Sequence, residues 1–532
     1  MRLVVLCGNA GDGKTALLQH LASRLGFGQH ASSERVLVGN TDDGLVVRMN
    51  LDGSAAWQGR SADEILDEFL APFQQGIPTE DIVHVLAIND GRLLEWIENG
   101  EESPLTQQLY DAVQLETASN GSHICFINLN QRSLVGNVST DRKDVNTEFL
   151  NRLLDQLYGG EQAANLWAPC ESCRAKERCE VFRATRLFGP AEISFAAEKA
   201  SQSWARQRLF EALQAVHLRG ETHVTVRELR AALVYILFGV HFCKDYHENL
   251  VEISVPYWDR AFSPVSPDRQ GDVLREVARF DPALEAHPQL DRYLLSPPTG
   301  DRSKTAPHYD KLSLESARRK AFFEWTREHL EEIASNADAL GLARGRNLKL
   351  FRNLAFDRED ENRRLCERLC RGISRLEDLP LQALDRADVV PLRITPRTPT
   401  ETTFWVEKPL AAFRLEADMP VATEIDRLHR QAFLIYQYRG GNEERLRLGA
   451  ELFHLLLELS DGYQLGDVST DDTFAHLSIF VQRLIREDER ELLAWNPMRD
   501  DILYKISTRI HRAHDYPQQR MVLSTLALGG QS

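Results

Sequence analysis

The chain opens with a short, mainly apolar run, Arg2-Leu3-Val4-Val5-Leu6, that leads into Gly8-Asn9-Ala10-Gly11-Asp12-Gly13-Lys14-Thr15. The run has the length and β-branched content of a buried parallel strand, and Ala16-Leu17-Leu18-Gln19-His20-Leu21-Ala22 after the loop reads as a helix. A G-x-x-x-x-G-K-[ST] loop between a strand and a helix leaves few folds open. Its glycines let the backbone curl until successive N–H groups converge at the positive end of the helix, which makes an anion site. The spacing implies a nucleoside triphosphate, ATP or GTP, whose β- and γ-phosphates are reached by Lys14 while the Thr15 hydroxyl sits on Mg²⁺. Gly8, Asn9, Ala10, Gly11, Asp12, Gly13, Lys14 and Thr15 are the expected binding residues, with ATP and Mg²⁺ the expected cofactors. The plainer alternative is a glycine-rich turn that happens to precede a helix.

Further strand candidates at 35–39, 81–90 and 123–130 are separated by helical patterns at 61–73 and 106–118. Alternation of this kind predicts an α/β N-terminal P-loop NTPase domain built on a parallel, doubly wound sheet. Ligands of such sheets lie outside the carboxyl ends of the strands, which singles out Asp90, Asn128 and Asn130. Asp90 is the candidate carboxylate for Mg²⁺, with Asp42 and Asp43 as the fallback and an Asx turn as the plain reading. Gly91 follows it, so the glutamate that polarises water in this ATPase class is not adjacent, and fast hydrolysis is not expected. Asn128 or Asn130 stands where AAA+-type ATPases carry a polar sensor of the γ-phosphate. Arg132, or Arg152 on the helical pattern at 146–158, is the candidate arginine reaching nucleotide or a neighbouring subunit. Exposed surface arginines are the commoner case.

Cys170-Glu171-Ser172-Cys173 followed by Cys179 has the C-x-x-C spacing that lets two thiolates grip one tetrahedral zinc. Cys243 is the leading fourth ligand, with His241 and His247 behind it, and a zinc held there would be structural. Three unligated cysteines in a loop are the alternative reading. Cys366 and Cys370, four apart on a helical pattern, read as core thiols.

From Glu192 the chain reads as helices. Thr225 is the expected N-cap of a helix that carries Arg227 and Arg230, and the segment resembles the helical lid of AAA+ and initiator-type ATPases. That resemblance implies that one of these arginines contacts the γ-phosphate. A helix arginine paired with Glu228 or a neighbour is the plain alternative. Composition shifts divide the chain into a nucleotide domain (1–165), a cysteine knuckle (166–182), a helical lid (183–262), a helical domain (263–390) and a mainly helical C-terminal domain (391–532). A proline- and threonine-rich connector fills 391–403, and an extended segment follows at 403–407.

A chain of 532 residues is too long for a single ordinary core. Its net charge of −16 argues against a surface coated for nucleic acid. The acidity is concentrated: 34–116 hold 17 acidic against 4 basic residues, whereas 301–377 hold 17 basic against 14 acidic. A DNA contact, if the chain makes one, is expected at 301–377, where a solvated helical face of mixed charge is the simpler reading. No apolar run approaches the roughly 20 residues that cross a bilayer, and the apolar start is consumed by the first strand. A cytoplasmic chain without a membrane contact is expected.

The order of the phosphate-type loop, the strand ending Ala87-Ile88-Asn89-Asp90-Gly91, the strand ending Asn128-Leu129-Asn130 and the cysteine knuckle resembles the P-loop ATPases of bacterial anti-phage defence, particularly those of phosphorothioation-dependent restriction systems. The resemblance spans roughly the first 250 residues. It implies a nucleotide-driven subunit of a multi-protein complex, with protein partners, DNA nearby and a homo-oligomer as the form in which a trans-acting arginine would work. Two readings stay open: an ATPase motor on DNA, or a nucleotide-gated switch of the signalling type with slow turnover.

Overall fold

A computed structural model describes residues 2–26, 34–41, 44–114, 123–220, 223–251, 254–263, 271–295, 305–376, 379–394, 402–463, 472–486, 491–496, 498, 502–513 and 516–527. Asp42 and Asp43 lie outside the described residues. The chain divides into two compact units, the first 1–217, 221–343 and 419–428, the second 218–220, 344–418 and 429–532.

The first unit is organised by a five-stranded sheet. Its strands are β1 (Leu3–Cys7), β2 (Val36–Asn40), β3 (Val46–Asn50), β4 (Ile82–Ile88) and β5 (Ile124–Asn128), in the spatial order β2-β3-β4-β1-β5. β3, β4, β1 and β5 run parallel, and β2 is antiparallel to β3. The sheet is thus mixed, with a parallel centre where a wholly parallel one was expected. The antiparallel edge follows from the short β2–β3 connection, since parallel neighbours need a long crossover.

Alternating side chains send the strands into two apolar layers. Leu3, Val5 and Cys7 pack with Leu66, Phe69, Leu93, Trp96 and Leu109 from α2 (Ala62–Leu70), α3 (Asp90–Asn99) and α4 (Pro104–Gln114). Leu6, Val47, Met49, Val85 and Ala87 pack on the other face with Leu18 and Ala22 of α1 (Lys14–Arg24). Helices therefore cover both faces, as the near-continuous apolar strands require.

Register decides what meets at the sheet's edge. Cys7 lies opposite Ile88 of β4 and Asn128 of β5, and Asn50 of β3 lies opposite Leu86. The residues that follow Cys7, Ile88 and Asn128 are Gly8, Asn89 and Leu129, which emerge at one level, and Asp52 lies two residues beyond Asn50. The remainder of this unit is helical, with α5 (Glu148–Leu157), α6 (Ala163–Glu171), α7 (Glu180–Phe188), α8 (Lys199–Arg219), α9 (Val226–Phe238), α10 (Cys243–His247) and α11 (Tyr257–Phe262). A two-stranded ribbon of β6 (Asn137–Val138) and β7 (Val145–Asn146) precedes α5.

The second unit corrects the expectation of a mainly helical C-terminal domain. Among the described residues eight strands lie there: β8 (Val389–Arg393), β9 (Thr403–Pro409), β10 (Phe413–Ala417), β11 (Ala432–Gln437), β12 (Glu443–Leu448), β13 (Glu491–Trp495), β14 (Ile502–Ala513) and β15 (Tyr516–Ala527). They form two antiparallel sheets, β10-β11-β12 and β15-β14-β13-β9-β8. The stretch 446–459 changes from strand to helix at Gly449. Arg445 and Arg447 point outward while Leu446 and Leu448 are buried, a period of two. Only beyond Gly449 does a helix begin, Ala450–Ser460. It packs against the helix Glu359–Leu376 so closely that a Cβ on Gly372 would sit 2.0 Å from the Leu456 carbonyl oxygen.

Candidate functional site

The loop between β1 and α1 is built by glycines in backbone conformations that side chains rarely adopt. Gly8 has φ +152°, and a Cβ there would stand 2.8 Å from Asp12 Oδ2 and 3.1 Å from Leu129 Cβ. Gly11 has φ +107°, with Thr225 and Arg227 pressed against its open side. Both positions require glycine.

Lys14, the first residue of α1, is buried and folds back into the loop. Its Nζ donates to the carbonyls of Gly8 and Asn9 and to Asn89 Oδ1, all at 2.8 Å. All three of these acceptors are neutral oxygens. Burial lowers the Lys14 pKa, and the nearby acids, Asp12 first, oppose that shift. The Thr15 hydroxyl donates to the Leu51 carbonyl at 3.1 Å.

A cavity of about 660 Å³ opens over this loop. The loop side of its wall is formed by Ala10, Gly11, Gly13, Lys14, Thr15 and Ala16, and the strand ends contribute Leu51, Asp52, Ala87 and Asn89. Facing them across the cavity is α9, with Val226, Arg227, Arg230, Ala231 and Val234. The expected lid-helix arginines and the loop therefore share one cavity. The N-cap expectation at Thr225 also matches: its side chain accepts the Glu228 N–H, and Glu228 returns a bond to the Thr225 N–H.

Asp52 is the residue that sequence reasoning passed over. Its strand, β3, is short and interrupted by Arg48 and Asn50, so no apolar run announced it. In the structure the carboxylate pairs with Arg35 at 2.9 Å and caps the Ser54 N–H at 2.9 Å. Ser54 Oγ in turn accepts the Asn89 N–H at 2.9 Å.

Asp90 is placed differently from the expectation. It opens α3, where a carboxylate suits the helix dipole, and it does not line the cavity. Its two oxygens accept from the Cys7 thiol at 2.8 Å and from the Asn130 amide. Burial first, and Asp90 second, push the Cys7 thiol far up, so it stays protonated. Asn130 Oδ1 also takes the Asn9 N–H at 3.1 Å, and Asn128 Oδ1 takes the Asn130 N–H at 3.0 Å. Asn128 and Asn130 thus brace the loop from the β5 side and do not face the cavity.

Arg132 bonds Asp426 at 3.0 Å and lies over the Phe149 ring, and Arg152 pairs with Glu148. The two arginines line a separate cavity of about 300 Å³. Five arginines of 301–377 are ion-paired: Arg318 to Asp291, Arg319 to Asp259 and Asp281, Arg327 to Glu331, Arg358 to Glu361, and Arg368 to Asp461.

Cys170 ends α6, Cys173 follows it, Cys179 caps α7 and Cys243 begins α10. Burial raises the Cys170 thiol pKa, as do the charges of Cys173, Cys179 and Cys243. Cys173 Sγ stands 3.4 Å from His247 Nε2. Among the described residues no three His, Cys, Asp or Glu side chains are gathered so as to hold a metal ion. Cys366 and Cys370 are buried in the helix Glu359–Leu376, as core thiols would be. No helix among the described residues is long and apolar enough to cross a membrane. Compared with models of protein families, with curated proteins and with solved structures, the chain matches none of them.

Proposed function

We propose that the chain binds a nucleoside triphosphate with Mg²⁺ in the cavity between the Gly8–Thr15 loop and α9, and that the bound nucleotide acts as a switch within a protein assembly. One observation carries this reading. A buried lysine donates to three neutral oxygens at the floor of a cavity of about 660 Å³, and two further cations, Arg227 and Arg230, line the opposite wall. Positive groups converging on a glycine loop at a helix N-terminus match the charge and shape of a polyphosphate.

The donor set also fits Mg²⁺, a hard cation that takes one or two protein oxygens beside the phosphates. The Thr15 hydroxyl and the Asp52 carboxylate would supply them, since both line the cavity whereas Asp90 does not. Bound there, the ion would neutralise charge building on the phosphate oxygens. Lys14 would exchange its loop carbonyls for phosphate oxygens, and Asn89, now held by Lys14, would be released towards the γ-phosphate or its water.

Gly53 follows Asp52 and Gly91 follows Asp90, so neither acid has an adjacent glutamate to activate water. That favours slow turnover and a switch over a motor. The ion-paired arginines of 301–377 and the net charge of −16 favour protein partners over DNA. The order of motifs in the sequence points to a restriction or defence complex as the assembly served.

Equilibrium binding of ATP with and without Mg²⁺ tests the assignment of the acid. Asp52→Asn should abolish the gain in affinity that Mg²⁺ gives, while Asp90→Asn should keep it. The reverse pattern would return the role to Asp90.

A further inference from the structure

Asp12 is a carboxylate inside a loop assigned to anions, where it works against an approaching phosphate. It is nearly fully buried, at 8% exposure, and its partners explain why it is tolerated. Oδ2 accepts the Asn9 N–H at 2.6 Å, which closes the loop on itself. Oδ1 lies 3.3 Å from Nε2 of His223. That histidine belongs to the segment that leads into α9, two residues before the Thr225 cap.

Two more contacts tie the same helix end to the same loop. The Arg227 N–H donates to the Gly11 carbonyl at 3.3 Å, and a Cβ on Gly11 would come within 3.2 Å of both Thr225 Oγ1 and Arg227 Cβ. The first turn of α9 is therefore pinned to the loop. Arg227 and Arg230 project from that turn and the next, so any rotation about the anchor carries them across the cavity.

Building on the reading of this cavity as a triphosphate site, we propose that His223 is a positioning residue. Through the Asp12 carboxylate it fixes the angle at which α9 leaves the loop, and so sets the distance of Arg230 from the bound phosphates. Phosphate arriving at the loop and the arginines arriving from α9 are coupled through this junction, in which the His223–Asp12 contact sets the angle. Neither Asp12 nor His223 needs to touch the nucleotide.

The test is a double-mutant cycle on the full chain, read by the dissociation constant of N-methylanthraniloyl-ATP with Mg²⁺ and by kcat and KM for ATP. Arg230→Ala should weaken binding about fivefold in the parent background and have almost no effect beside His223→Asn, whose shorter amide stops short of Asp12. His223→Gln places a donor where Nε2 stands, and it should restore both affinity and the Arg230 effect. Equal effects of Arg230→Ala in both backgrounds, or a His223→Gln chain that behaves like His223→Asn, would overturn the proposal. Lys14→Ala serves as the separating control. If it still binds the probe as the parent does, the triphosphate reading itself fails. If it abolishes binding while the cycle is additive, only the coupling fails.

Discussion

His429 shows how a single side chain sets a pH limit. Its Nε2 meets the Phe351 carbonyl at 3.0 Å, and complete burial pushes its pKa down to about 4. The unfolded chain would bind a proton there near pH 6.5, whereas the folded chain resists it until about pH 4. Folding stability is therefore complete above pH 6.5 and is lost as pH falls towards 4, by up to about 3 kcal/mol. Chemical denaturation of the chain at pH 7.5 and pH 4.5 should show this loss, and it should shrink in a His429→Gln chain. An identical loss in that variant would mean that other groups carry the acid sensitivity. At the same scale, the loop residues Gly8 to Thr15 were legible because their chemistry is local. Asp52 was not, because its role depends on β3 lying beside β4, which is a matter of register and not of sequence spacing.

Among the elements, α9 is the most closely specified. Thr225 and Glu228 cap its N-terminus, and at its C-terminus the buried Arg260 guanidinium donates to the carbonyls of Ile236 and Leu237 at 2.9 and 3.1 Å. Replacing Thr225 by Ala should cost about 1 kcal/mol by thermal or chemical denaturation. Arg260→Leu should cost more, about 2–3 kcal/mol, because two buried carbonyls lose charged donors. A smaller loss for Arg260→Leu than for Thr225→Ala would show that water replaces the guanidinium.

The contact between Glu359–Leu376 and Ala450–Ser460 is just as specific. Gly372→Ala must push the helices apart, since its methyl would overlap the Leu456 carbonyl, and a loss of about 1–3 kcal/mol is expected. Unchanged stability would mean that the helix pair slides without cost. Caps and amphipathic helices such as α2 and α5 were readable because their signals sit within a few residues. The strands of the second unit were not. Leu446 and Leu448 continue smoothly into the apolar face of the following helix, and only the alternating exposure of Arg445 and Arg447 separates the two periods.

At the scale of the whole molecule, the cavity over the glycine loop is assembled from four separate stretches: 10–16, 51–52, 87–89 and 226–234. Two of them were foreseen as binding chemistry, the loop and the arginine-bearing helix, and the geometry brings those two together. One thiol of the Cys170 to Cys179 segment, Cys173, meets His247 at 3.4 Å, and among the described residues no three potential ligands are gathered there. The function proposed here rests on the first assembly and not on the second. A switch of this kind should hold ATP tightly, turn it over slowly and ignore DNA. Turnover that rises on adding DNA, and is lost with Lys14→Ala, would instead describe a motor.

Among the described residues Lys14 donates to neutral oxygens, and it is proposed to hold a phosphate in their place. Calorimetric titration of Mg·ATP into the full chain and into its Lys14→Ala counterpart measures this directly. One site per chain is expected in the parent, with a loss of at least tenfold in affinity on substitution, about 1.4 kcal/mol or more. Equal affinity in the two chains, or no heat of binding in either, would contradict it.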